Sequence, residues 1–213
     1  MSTPFIRLMK QEGIRDEVIR TFEAYYQKLV KGEKGLIGED AIRPPSENNL
    51  IDYQQIKHLS RTSILKNTVV IKLNGGLGTS MGLSKAKSLL PVKNNLNFLD
   101  IISRQVLTLR SLSGYDVLLL FMNSFNTEAD TLKYLEKYPD LGKQDLPLSF
   151  LQNKFPRIRQ DTLMPYENKE TKLMWNPPGH GDIYTALGDL LDKMIAKDYR
   201  YAFVSNADNL GAV

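Results

Sequence analysis

Apolar residues at Ile14, Val18, Phe22, Tyr25, Tyr26 and Leu29 recur at helical spacing along one stripe, which predicts a helix from Phe5 to about Val30. Gly32, Gly35 and Gly38 end that pattern, and Arg43-Pro44-Pro45-Ser46-Glu47-Asn48-Asn49 reads as an extended, turn-rich connector. Residues 1–60 are therefore expected to form a helical extension with its linker, and residues 61–213 to begin the main domain.

From Asn67 the period changes. Thr68-Val69-Val70-Ile71-Lys72-Leu73 is a β-branched run of the kind buried in parallel sheets, and Tyr115 to Met122 is a second. Leu146 to Leu151 and Tyr199 to Val204 supply two more strands. Between them, Phe98 to Leu109 shows helical spacing behind Asn97 as N-cap, and a helix opens at Asn126 or Thr127 and stops at Pro139. A third helix is expected over Ile183 to about Lys197, whereas Phe155 to Asn176 looks irregular. Strands alternating with helix-length crossovers imply an α/β fold, a mostly parallel sheet with helices on both faces. The pattern halts soon after a strand, at Leu210-Gly211-Ala212-Val213, so the chain is expected to be the N-terminal, truncated portion of a longer protein.

Composition removes several chemistries. The 213 residues contain no cysteine and two histidines, His58 and His180, which excludes a disulfide framework, thiolate zinc, a cysteine nucleophile and a multi-histidine metal site. Any metal must be held by oxygen, which points to Mg²⁺. Lys+Arg 28 against Asp+Glu 24 leaves a net charge of +4, a mild preference for an anionic ligand and no nucleic-acid footprint. The opening MSTPFIRLMKQEG is charged too early for a secretory signal, and no apolar run has membrane-spanning length; a cytoplasmic protein without a membrane partner is expected.

Ligands of open α/β sheets sit at the carboxyl ends of the strands. The glycine-rich segment Leu73-Asn74-Gly75-Gly76-Leu77-Gly78-Thr79-Ser80-Met81-Gly82 lies there, and its amides can form an anion-binding concavity. It is no Walker loop, because Leu83 follows Gly82 where lysine is required. A dinucleotide fingerprint lacks its acidic residue, since the second strand closes on Met122-Asn123-Ser124. Lys85 and Lys87 stand in what reads as an extended arm ending at Pro91, and spacing does not choose between them as a phosphate ligand. Asp208, between Asn206 and Asn209, is equally a Mg²⁺ ligand or an Asx-turn. Gln152 ends the third strand with an amide able to read a base edge, His180 sits between glycines after two prolines, and Trp175 reads as packing.

Together, the Gly loop, Lys87-Ser88-Leu89, Asn97-Phe98-Leu99-Asp100, Met122-Asn123-Ser124-Phe125-Asn126-Thr127, Pro156-Arg157-Ile158, Pro177-Pro178-Gly179-His180-Gly181-Asp182 and Ser205-Asn206-Ala207-Asp208-Asn209-Leu210-Gly211 resemble the eukaryotic-type UDP-glucose pyrophosphorylases, from about Arg43 onward. The resemblance implies a Rossmann-like nucleotidyltransferase core and a Mg²⁺-dependent reaction of UTP with glucose 1-phosphate, giving UDP-glucose and pyrophosphate. It also implies that residues 61–213 are the first part of the catalytic domain. By the same resemblance, the backbone of Leu73, Asn74, Gly75 and Gly76 cradles UTP, Lys87 binds phosphate, and Gln152 and Gly179 read uracil. Gly75, Gly76, His180, Asn206 and Asp208 face the sugar phosphate, with Asp208 also on the metal. Ala86 departs from the proline that many relatives carry before the lysine, at some cost in rigidity. A broader UDP-sugar specificity and a UTP-binding module without transfer activity are the alternatives, and the sequence is silent on oligomeric state.

Overall fold

The computed structural model describes residues 3–59, 61–78, 85–142 and 145–212. Its centre is a four-stranded, all-parallel sheet in the order β5-β4-β1-β8, built from β1 (Thr68–Asn74), β4 (Leu118–Asn123), β5 (Ser149–Leu151) and β8 (Tyr201–Asn206). β4 is buried along its whole length and β1 along all but Leu73, which is why both read as continuous apolar runs rather than alternating ones.

Each face of the sheet is covered. Val70, Leu119 and Phe121 pack against Leu99, Ile102 and Val106 of α4 (Phe98–Ser113) and Leu135 of α5 (Glu128–Leu135). On the opposite face Val69, Ile71, Leu118 and Leu120 meet Leu190 and Met194 of α7 (Gly188–Ala196). Each fully buried aliphatic or aromatic side chain contributes about 1.5–3 kcal/mol relative to exposure. No helix among the described residues is long and apolar enough to cross a membrane.

Several expected elements are divided or shortened. The first helix is two, α1 (Thr3–Gln11) and α2 (Asp16–Val30), because Gly13 adopts φ +68° and the Ile14 N–H turns back to Met9 O. The last helix is split into α6 (Ile183–Ala186) and α7, with Gly188 at φ +40° as the first residue of α7. The helix after the second strand ends at Leu135, before Pro139. The arm at Lys87 is not extended: Lys87–Leu89 makes one 3-10 turn, followed by the hairpin of β2 (Pro91–Lys93) and β3 (Leu96–Asn97). Asn94 and Asn95 both take positive φ, the geometry that a two-residue hairpin turn demands. The segment from Phe155 also contains a short antiparallel pair, β6 (Phe155–Pro156) with β7 (Trp175–Asn176). A separate one-turn helix, α3 (Tyr53–Ile56), lies in the linker. Phe5, Met9, Phe22 and Tyr26 share a second core with Trp175, so that tryptophan is indeed packing.

α4 begins with a reciprocal cap. Asp100 N–H donates to Asn97 Oδ1 at 2.9 Å and Asn97 N–H to Asp100 Oδ2 at 3.0 Å. The same carboxylate accepts from Tyr134 Oη, Tyr138 Oη and Lys137 Nζ at 2.7, 2.8 and 2.6 Å. Burial alone disfavours the charged form, but the bonds from Lys137, the Asn97 amide and the two tyrosines outweigh it and hold the carboxyl well below the usual carboxylate range. Asp100→Ala is expected to cost about 3 kcal/mol in urea unfolding at pH 7. A depressed folded-state pKa adds stability above the unfolded value and loses it as pH falls. The gap between wild type and Asp100→Asn should therefore be full at neutral pH and shrink below about pH 4. A gap that is constant down to pH 2 would contradict this account of Asp100.

Candidate active site

The parallel register brings distant residues together. β1 ends beside β8 with Leu73 opposite Asn206, and beside β4 with Asn74 opposite Asn123. At this carboxyl edge a cavity of about 260 Å³ is lined by Leu73, Asn74, Gly76, Leu77, Lys87, Ser88, His180, Asn206, Ala207 and Asp208. Seven of the ten residues expected at the site thus share one cavity wall. Thr79 to Gly82, the second half of the glycine-rich loop, lies outside the described residues.

The first half of that loop is fixed through its carbonyls. Thr127 Oγ1 donates to Asn74 O and Ser124 Oγ to Gly75 O, both at 2.8 Å. In a trans peptide the N–H points opposite to the C=O, so the Gly75 and Gly76 amides are turned away from those hydroxyls. The Asn74 side chain is committed elsewhere, donating to Asn123 Oδ1 at 2.7 Å and Thr131 Oγ1 at 2.9 Å.

Gln152 is 5% exposed and lies directly over Gly75. A Cβ built on that glycine would fall 1.8 Å from Gln152 Nε2, so only glycine admits the amide there. Gln152 Oε1 is buried with no partner among the described residues, an acceptor that is costly to leave unmatched. Gln152 itself is not part of the cavity wall, but its backbone N–H is tied to Asn123 O at 2.8 Å. Asn153, next in sequence, donates to Asp182 Oδ2 through its N–H at 2.5 Å and to Oδ1 through its side chain at 2.8 Å. Asp182 therefore locks the Gly179–Asp182 turn to the end of β5. Gly179 takes φ +111°, a backbone state closed to other residues, and hands the chain to His180 at the cavity.

Lys87 and Asp208 meet across the cavity at 2.5 Å, Nζ to Oδ2. Lys87 thus lines this cavity, whereas Lys85 lines a different depression with Lys133 and Lys137. Lys87 is seated by its own N–H, which donates to Gly76 O at 3.1 Å, and by a bridge pairing Ala86 with Leu77. Ala86 holds φ −54°, within the range of proline, so the backbone keeps the shape a proline would impose. Sequence reading assigned no role to Ser88, whose buried Oγ lines the cavity without a partner among the described residues, or to Asp182. Only the short polar motifs containing them hinted at either.

The arrangement has one ammonium, one carboxylate and residues of the Leu73–Leu77 segment, Gly76 among them, around a small polar space. A metal-bound polyphosphate suits it: phosphate can take Lys87 while a cation takes Asp208. Asp208 is the one carboxylate among the described residues of the wall, with the Asn206 amide beside it. No cluster of three His, Asp or Glu residues occurs among the described residues. Such a set fits Mg²⁺, which commonly takes one or two carboxylates and completes its shell with water and substrate phosphates.

The family model described as UTP–glucose-1-phosphate uridylyltransferase matches residues 19–213. The enzyme of that name from Solanum tuberosum is 40% identical over 195 residues, covering 87% of this chain and 40% of the relative. UTP–glucose-1-phosphate uridylyltransferase 2 of Dictyostelium discoideum is 38% identical, covering 96% and 42%. Among solved structures, a mutant UDP-glucose pyrophosphorylase from Leishmania major in complex with UDP-glucose superposes with TM-score 0.85 at 40% identity, over 99% of this chain and 44% of that one. A UDP-glucose phosphorylase from Trypanosoma brucei gives TM-score 0.90 at 40% identity, over 99% and 46%. The chain spans less than half the length of these relatives.

Proposed function

Because the chain belongs to the UTP–glucose-1-phosphate uridylyltransferase family, we propose that it carries the nucleotide-binding part of a site for uridylyl transfer from UTP to glucose 1-phosphate. The observation that carries the reading is the convergence of Leu73, Asn74 and Gly76, Lys87 and Asp208 on one cavity at the ends of β1 and β8. The backbone of Leu73 to Gly76 holds the triphosphate and Lys87 binds its phosphate oxygens. The orphaned Gln152 amide oxygen and the Gly179 backbone pair with the uracil edge. His180, Asn206 and Asp208 face glucose 1-phosphate.

In the reaction, a phosphate oxygen of glucose 1-phosphate forms a bond to the α-phosphorus of UTP. The bond from that phosphorus to the bridging oxygen breaks, its electron pair leaves with pyrophosphate, and UDP-glucose remains. The attacking oxygen is already an anion, so no general base is needed. Positioning and charge neutralisation carry the rate. Mg²⁺, held by Asp208, supplies charge neutralisation between the two anionic substrates. Lys87 does the same from the protein side and aligns the triphosphate on the glycine peptides.

Calorimetric titration with UTP and Mg²⁺, beside ATP and CTP, tests the nucleotide site, and a coupled pyrophosphate assay tests transfer. UTP should bind in preference to both other nucleotides; equal binding of ATP would overturn the reading. Binding without transfer would assign the chain to nucleotide capture alone. Galactose 1-phosphate and N-acetylglucosamine 1-phosphate, run beside glucose 1-phosphate, test the sugar. Gln152→Ala is expected to reduce the preference for UTP over CTP by about tenfold, the worth of a buried hydrogen bond. An unchanged preference would remove Gln152 from base recognition.

A further inference from the structure

We propose that Lys72 is a positioning residue whose buried ammonium ties residues on either side of the Asn206–Asp208 segment to β1. The proposal rests on the reading of Asp208 as the metal ligand of the nucleotide site. Lys72 lies in β1 directly opposite Ser205 of β8 and is only 3% exposed. Its Nζ donates to Ser205 Oγ at 2.8 Å and to Ala212 O at 2.9 Å. Those two acceptors stand on either side of Asn206-Ala207-Asp208, one just before the segment and one after it. The Phe203 ring lies 5.8 Å from the same nitrogen.

The cost of this arrangement shows that packing alone does not account for it. Burial draws the Lys72 pKa below that of an ordinary lysine, and no carboxylate among the described residues offsets the charge. A methionine of similar length would fill the same space without a charge to desolvate. What methionine lacks is a set of tetrahedrally arranged donors that can reach both strand and loop at once. The rest of the loop is held by Ala207 N–H to Leu73 O at 2.9 Å and by local turn bonds such as Asn209 N–H to Asn206 O at 3.2 Å. Beyond Asp208, Leu210 packs against the core that includes Val70, but none of these hydrogen bonds among the described residues joins residues 210–212 to the sheet. Lys72 does, one residue before the glycine-rich segment begins at Leu73, so the two sides of the cavity are built from adjacent residues of one strand.

The test compares wild type with Lys72→Met by amide hydrogen exchange, thermal melting and calorimetry. The variant should melt at the same temperature or higher, while amides of residues 207–212 exchange about tenfold faster or more and those of β4 are unchanged. Mg²⁺ affinity of the UTP-loaded protein should fall about tenfold, as expected when a residue orienting a metal ligand is removed. UTP affinity without metal should stay within about twofold, since its contacts are on the glycine segment, Lys87, Gln152 and Gly179, none of which lies in the tied segment. Ser205→Ala removes one tie without touching the charge. It should shift exchange and Mg²⁺ affinity in the same direction by less, and it carries the test if Lys72→Met does not fold. Unchanged exchange at 207–212, or equal losses of UTP and Mg²⁺ affinity, would reduce Lys72 to packing. A wild-type chain that binds no UTP, with exchange behaving as expected, would keep the tie and overturn the nucleotide reading instead.

Discussion

Lys87→Ala is expected to weaken UTP binding by about 30–100-fold while barely altering the melting temperature. A charge-assisted contact from an ammonium to phosphate, once truncated, costs about 2–3 kcal/mol of binding, because the partner is left desolvated and unpaired. The resting fold depends on Lys87 much less. Its pair with Asp208 is 43% exposed on one side and 31% on the other, and pairs of that kind stabilise a fold by about 1 kcal/mol or less. Turnover in the coupled assay, where transfer is present, should fall further than affinity, because neutralising the triphosphate matters most as charge moves to the leaving group. Calorimetry and a melting curve on one sample suffice. Equal losses of affinity and stability would mean that Lys87 is a structural residue; unchanged affinity would remove it from the site.

Gly75→Ala is the second large effect, and it has a built-in reversal. The added methyl would stand 1.8 Å from Gln152 Nε2 and 3.0 Å from its Cδ. Neither partner yields easily: Gly75 O is held by Ser124 Oγ, and the backbone around Gln152 is anchored to Asn123 O and Asp182. Expulsion of the buried amide or displacement of the loop should cost about 2–3 kcal/mol, within the range of overpacked cores, and should abolish UTP preference. In the double variant Gly75→Ala with Gln152→Ala the clash is gone. Stability should recover most of the loss, while base preference stays lost, a non-additive cycle that contact predicts and distance would not. Additive stability losses from the two changes would show that the two side chains do not meet.

The strands were legible because burial on both faces leaves its mark in composition: Leu118 to Met122 and Val69 to Ile71 can do little else but lie inside a sheet. Helix breaks were not, because Gly13 and Gly188 interrupt segments whose apolar stripes continue on either side, and period alone does not register one residue at positive φ. The arm before Pro91 misled for a different reason. Its shape is set by the Asn94-Asn95 turn and by pairing of Ala86 with Leu77, both decided by local backbone geometry rather than by hydrophobic pattern. In the candidate site, the residues alone left Lys85 and Lys87 equivalent and Asp208 balanced between metal ligand and Asx-turn, and only the family resemblance chose Lys87, Asp208 and Gln152. The difference between the two lysines is a contact across 121 positions of chain, produced by the β1–β8 register, which no local window contains. Asp182 and Ser88 escaped notice because a carboxylate in a turn and a serine after a lysine are ordinary until the partners around them are known.

The contact between Lys87 and Asp208 also decides how the resting cavity looks from afar. Two opposite charges in contact form a dipole, whose field dies away faster than that of a lone ammonium, so at a Debye length the pocket mouth is nearly silent to an approaching anion. If phosphate takes Lys87 and a cation takes Asp208, as proposed above, recognition is postponed to the moment of touch, when the two arrive together.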